Sequence, residues 1–334
     1  MFDTAELGQH VGKADFKKRE LEIRADLLEL QYRVRELARF PVIIDFAGVD
    51  GAGKGTTVNI LNKWMDPRWM RTIGYLKPTA EEKARPRYWR YWRDLPPKGR
   101  TGLYLSGRYS SVLLDRVYGK LDRGEFEDRL SEIIRFENAM ADDGALILKF
   151  WMHLSESAQK ERLESLSADP LLSYKVTDRD WRNHENYDTF IAAAEKIIAR
   201  TNRFAARWNI VEGVDENYRH LVVGETIRSE LERHLAIFET ESPDATPATV
   251  ATSHSGDHAT SNHLTIFNAL DLSKSVTRGK YRRRLKKYQA RLGELGRRAH
   301  EQGLSTVLVF EGPDASGKGG AIRRTVRSLD ARAY

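Results

Sequence analysis

Apolar positions recur with a helical period over residues 15–39, where Leu21, Leu27, Leu28, Leu30, Val34 and Leu37 stand among Glu, Arg and Lys. That spacing predicts an amphipathic helix. The pattern then changes: Pro41-Val42-Ile43-Ile44-Asp45-Phe46 is a short apolar run that reads as a buried strand, followed by a glycine loop and a helix from about Lys54 to Met65. Further apolar runs predict strands at Gly102–Leu105, Ala145–Trp151 and Trp208–Val211, with helices at about 125–141, 155–167, 180–204 and 216–237. Strands alternating with helices predict an α/β unit with a mostly parallel sheet.

From Glu239 to Asn262 the periodicity fails in a small, polar, proline-punctuated stretch that lacks the apolar residues needed to offset ordering entropy. We read 238–264 as a flexible linker. The first program then restarts: Tyr281–His300 is a basic amphipathic helix carrying Leu285, Tyr288, Leu292 and Leu295, Thr306–Phe310 is a strand, and a second glycine loop follows. The gapless register continues beyond that loop, with Val58 matching Ile322, Met65 matching Leu329 and Asp66 matching Asp330. The chain therefore reads as two copies of one unit, 1–237 and 265–334. The second copy holds too few residues to cover both faces of a sheet, so it is expected to be incomplete and the chain a fragment.

Composition adds bounds. The 334 residues exceed the roughly 50–250 of a usual domain, in keeping with two units. There is no cysteine, which excludes disulfides and thiolate metal sites. The N-terminus lacks a signal-peptide pattern and no apolar run approaches the ~20 residues of a membrane span; a cytoplasmic protein without a membrane anchor is expected. Net charge is +7 with a pI near 9.4, which favours polyanionic partners without choosing among them.

The chemistry sits in the two loops, Gly48-Val49-Asp50-Gly51-Ala52-Gly53-Lys54-Gly55 and Gly312-Pro313-Asp314-Ala315-Ser316-Gly317-Lys318-Gly319, both G-x-D-x-x-G-K-G between a strand signal and a helix signal. A glycine-rich turn of this kind places backbone N–H groups around phosphate oxygens at a helix N-terminus. Gly48, Gly51, Gly53 and Gly55, and Gly312, Gly317 and Gly319, are the candidate cradle; Lys54 and Lys318 add charge on the transferring phosphates. The hydroxyl that usually follows the lysine and holds magnesium is replaced by Gly55 and Gly319. Asp50 and Asp314 would repel a phosphate, so each is expected to face a metal or to orient an acceptor; capping the next helix is the plainer alternative. A second cluster, Arg85-Pro86-Arg87-Tyr88-Trp89-Arg90-Tyr91-Trp92-Arg93 with Lys98 and Arg100, suits a single-stranded nucleic acid, an inorganic polyphosphate, or simply an amphipathic helix with snorkelling arginines.

Both loops, the segment Arg90–Arg100, the run Lys149-Phe150-Trp151-Met152-His153-Leu154 and the stretch from Asp169-Pro170 through Tyr174-Lys175 to Asp180-Trp181-Arg182-Asn183 together resemble the polyphosphate kinase 2 family, in its two-domain class of polyphosphate:AMP phosphotransferases. The resemblance implies a P-loop kinase fold similar to thymidylate kinase, a parallel sheet with flanking helices and a helical lid, duplicated. It implies Mg2+, an inorganic polyphosphate donor, an AMP acceptor giving ADP, and self-association into a homo-oligomer. Asp50 and Asp314 would serve with magnesium; Arg90, Arg93, Arg100, Arg108 and Lys175 would bind phosphate. The first copy departs from the pattern: an Asp-Arg-Ser-Trp-Tyr-like motif is replaced by Leu105-Ser106-Gly107-Arg108-Tyr109, a lid arginine by His184 and a lysine by Glu216. Catalysis is thus expected in the second copy. The alternative is a non-catalytic polyphosphate-binding or oligomerising unit. A nucleic-acid-linked ATPase would require a hydroxyl after the loop lysine, and both copies lack it.

Overall fold

The computed structural model describes residues 1–240, 273 and 275–331. Helix α1 (Lys13–Leu37) leads into β1 (Val42–Gly48) and α2 (Lys54–Trp64), then β2 (Met70–Gly74) and the short helices α3 (Ala80–Lys83) and α4 (Trp89–Arg93). Next come β3 (Thr101–Leu105), α5 (Arg108–Val117), α6 (Arg123–Asp142), β4 (Leu146–His153), α7 (Glu156–Ala168), α8 (Asp178–Glu185) and α9 (Tyr187–Thr201). The first unit closes with β5 (Trp208–Glu212) and α10 (Glu216–Thr240); α11 (Arg278–Glu301) and α12 (Lys318–Val326) follow. All five strands are parallel, in the order β2-β3-β1-β4-β5. β1 lies between β3 and β4, covered by helices, which is why its sequence is a nearly continuous apolar run. In such sheets ligands bind beyond the strands' carboxyl ends, where the order reverses. The first glycine loop stands there.

The buried stripe of α1 is Ile23, Leu27, Leu30 and Val34, which joins Ile227, Leu231 and Leu235 of α10 in the main core. Leu21 and Leu28, expected on that stripe, are exposed, Leu21 at 69%. β2 was not foreseen because Met70-Arg71-Thr72-Ile73-Gly74 is half polar; it is an edge strand, where one flank needs no apolar cover. The helix expected over 180–204 is two, α8 and α9, meeting at Asn186.

One expected strand does not form. Residues 306–310 have no ladder partner among the described residues, and Val307 and Val309 are 84% and 75% exposed. α10 runs to Thr240, taking in the first three residues of the expected linker; 241–264 lie outside the described residues. Among those described, no helix is long and apolar enough to cross a membrane.

Candidate active site

The first loop starts where β1 meets β4. Gly48 has φ 132°, and a Cβ there would collide with the Met152 backbone, so only glycine permits the approach. Val49 N–H donates to the Met152 carbonyl at 3.1 Å. Gly53, at φ 86°, turns the chain into α2, and Lys54 Nζ donates to the Gly48 and Val49 carbonyls, both at 2.7 Å. The second loop wraps in the same way. Gly312 and Gly317 have φ 152° and 87°, α12 begins at Lys318, and Lys318 Nζ donates to the Gly312 and Pro313 carbonyls at 2.5 and 2.8 Å. Ala315, at φ 61°, stands where the first loop has Gly51 at φ 84°. A residue with a Cβ pays about 1–2 kcal/mol for that conformation, so the second loop stores strain that the first does not.

The surroundings of the first loop are filled by its own unit. Asp50 does not cap α2, whose N-cap is Gly53. Its Oδ2 accepts from Asn183 Nδ2 of α8 at 2.6 Å, and its carbonyl accepts from Gln159 Nε2 of α7 at 3.1 Å. Asn183 Oδ1 in turn accepts from the Tyr118 hydroxyl at 2.5 Å, and His184 Nδ1 bonds Gln159 Oε1 at 2.9 Å. The expected lid is therefore closed onto the aspartate. From the other side Arg219 of α10 packs against Gly53, donating to the Gly213 carbonyl and to Thr56 Oγ1, both at 2.9 Å. Burial pushes its guanidinium down to about 10, with Glu216 opposing.

Arg108 departs most from expectation. Rather than facing a phosphate site, it is buried and donates to Asp45 Oδ2 at 2.6 Å, with Glu137 Oε1 at 3.7 Å. Glu137 accepts from Lys149 Nζ at 3.1 Å and from the Tyr109 hydroxyl, and Lys149 also donates to the Thr201 carbonyl at 2.8 Å. Burial pushes the Asp45 and Glu137 carboxyls up and the Lys149 ammonium down to about 8, against the pull of their partners.

The arginine-rich segment is largely self-neutralised. Arg90 pairs with Glu82 at 3.4 Å, donates to the Leu76 carbonyl and lies over the Tyr75 ring at 4.8 Å. Arg93 donates to both Asp94 oxygens and to Glu82, and Arg87 to Glu132. Arg100 lies 5.0 Å over Trp69. Tyr88 and Tyr91 pack on Phe136 as core, and Trp92 meets the same ring edge-on while remaining 47% exposed. A polyphosphate would have to displace these carboxylates, which costs little only where the pair is more exposed, as at Arg87–Glu132. Lys175 is exposed on the turn Ser173–Lys175.

For a metal, the described residues hold no group of three or more His, Asp or Glu side chains. Each loop offers a single carboxylate, and that of Asp50 is already bonded to Asn183 with Lys54 Nζ 3.9 Å away; one carboxylate is within what magnesium takes, with water and phosphate oxygens supplying the rest. Sequence reasoning did not single out Asn183, Gln159 and Arg219 as site residues. Gln159 and Arg219 carry no local motif, and only the fold brings 50, 159, 183 and 219 together.

A family profile described as Polyphosphate kinase 2 (PPK2) matches residues 10–238 and 275–334. Polyphosphate:AMP phosphotransferases of Pseudomonas aeruginosa and Pseudomonas syringae pv. tomato are 42% and 39% identical to the whole chain, which spans 66% of each of them. Among solved structures, a polyphosphate kinase 2 of Pseudomonas aeruginosa PA01 superposes with a TM-score of 0.65 at 39% identity, covering 99% of this chain and 63% of that one. Polyphosphate Kinase 2 from Arthrobacter aurescens TC1 gives 0.66 at 26% identity, covering 74% and 86%.

Proposed function

The chain belongs to the polyphosphate kinase 2 family, and from that premise we propose that it serves phosphoryl transfer from inorganic polyphosphate to AMP, giving ADP, with the chemistry at the second loop. The observation that carries the reading is the contrast between two loops of one geometry. The first has its aspartate bonded to Asn183 and its turn packed by Arg219, whereas no described residue donates to the Asp314 carboxylate. A phosphate oxygen of AMP attacks the terminal phosphorus, the bridging P–O bond breaks, and polyphosphate leaves one unit shorter. Lys318 spends two N–H groups on loop carbonyls and has a third for a phosphate oxygen. Loop amides and the N-terminus of α12 stabilise the remaining charge, and Asp314 orients the acceptor. Mg2+, held by Asp314 with phosphate oxygens, would supply further charge neutralisation. The first unit is non-catalytic in this reading and contributes binding and assembly into a homo-oligomer.

The test is polyphosphate-dependent ADP formation by the native protein. Lys318→Ala should lower kcat at least about 100-fold, the scale of losing one donor to transition-state charge, while Lys54→Ala keeps most of the turnover. Near-normal turnover in Lys318→Ala would sink the assignment.

A further inference from the structure

Of the 24 residues of α11 only Gly293 is buried. Glycine inside a helix is unfavourable because it surrenders the most backbone freedom on ordering, so its presence there calls for a packing reason. Gly293 has one. A Cβ at 293 would overlap the Tyr174 hydroxyl and stand 2.7 Å from the Ser328 carbonyl. One turn on, a Cβ at Gly296 would stand 2.8 Å from Leu329 Cδ2.

The partners come from both units. Tyr174 lies on the lid turn of the first, between α7 and α8; Ser328 and Leu329 follow α12 of the second. The Tyr174 hydroxyl donates to the Ser328 carbonyl at 3.3 Å, and Gln289 Nε2 of α11 donates to the Arg324 carbonyl of α12 at 2.7 Å. Ala331, just beyond, is 2% exposed and belongs to the main core cluster of the first unit. Lys175 is attracted by Asp330 and repelled by Arg327, so the charges at this junction are mixed and shape carries the contact.

We propose that the lid turn centred on Tyr174 is an internal docking surface for the α11–α12 pair, and that through it the first unit holds the helix whose first residue is Lys318. Fixing the carboxyl end of a helix only nine residues long fixes the direction of its amino end, where the second phosphate cradle lies. The catalytic half of this proposal rests on the assignment of chemistry to the second loop. The docking half does not.

Hydrogen exchange of the 334-residue chain, followed by mass spectrometry, separates the two. Tyr174→Ala and Gly293→Leu, which act from opposite sides of the junction, should each speed exchange of amides 318–331 about tenfold or more, with β1 amides unchanged. Tyr174→Phe, which loses only the hydroxyl, should have a smaller effect. Exchange at 318–331 that is unmoved by Tyr174→Ala overturns the docking surface; should Gly293→Leu also loosen β1, Tyr174→Ala alone decides. In the native protein, Tyr174→Ala should lower kcat for ADP formation several-fold, whereas full turnover with loosened 318–331 overturns the control exerted by the first unit. A wild-type protein that makes no ADP refutes the phosphotransferase reading, and the exchange result still decides the docking.

Discussion

Arg108 is expected from the family resemblance to bind phosphate, yet its buried guanidinium lies between Asp45 and Glu137. The charges at 45, 108, 137 and 149 come from β1, α5, α6 and β4, so the cluster ties together the strand before the loop and the layers around it. Removing one member of such a group leaves its partners buried and uncompensated, a cost of about 3–5 kcal/mol. Arg108→Met should therefore lower the unfolding free energy of the first unit from urea titration, read through its buried tryptophans Trp64 and Trp151, by an amount in that range. Adding Asp45→Asn should restore much of it, because it removes the carboxylate that Arg108 faced and leaves Glu137 paired with Lys149. If Arg108→Met instead weakened polyphosphate binding at unchanged stability, the residue would be a ligand after all. The glycine loops were legible in the sequence because backbone conformation and a strand-to-helix context are local properties. The destination of Arg108 was not, since nothing in a linear pattern says that 108 meets 45 and 137.

At the scale of elements, β1, β3, β4 and β5 fall within two residues of the bounds their apolar runs predict. Those runs mark burial on both faces, which holds for the interior strands and for the apolar edge β5, and fails for the half-polar edge β2. The same criterion errs at 306–310, where Thr306-Val307-Leu308-Val309-Phe310 has strand composition but no strand. A strand is a relation between two segments, and composition supplies only one of them. An exposed, β-branched apolar segment is a template for pairing with another copy. Val309→Lys should accordingly reduce concentration-dependent association of the 334-residue chain in light scattering while leaving its thermal midpoint unchanged. Equal association in both proteins would show that this segment is not the adhesive one.

Across the whole first unit, two buried histidines and a half-buried one join parts far apart in sequence, and each has its pKa lowered, chiefly by burial. His153, at the end of β4, bonds Glu6 at 2.7 Å and stacks on Phe2. His234 of α10 donates to the Gly144 carbonyl at 2.9 Å and meets Phe40 edge-on. His220 lies beside Arg219, near Phe16 of α1, and is pushed from 6.5 down to about 3. An unfolded chain takes up a proton on such a ring near its ordinary value, whereas the folded chain does not until far lower pH. The unfolded state thus binds more protons in that window, and stability falls as pH drops from about 6.5 towards 3. The raised carboxyls of Asp45 and Glu137 work in the opposite sense, holding protons in the folded state, so the total slope mixes both. His220→Gln isolates one contribution. Between about pH 6 and pH 4.5, its unfolding free energy should fall less steeply than the wild type's by about 1 kcal/mol per pH unit. Parallel curves for the two proteins, measured by urea unfolding at fixed ionic strength, would show that His220 is protonated in the folded state and that α10 does not bury a neutral ring beside Arg219.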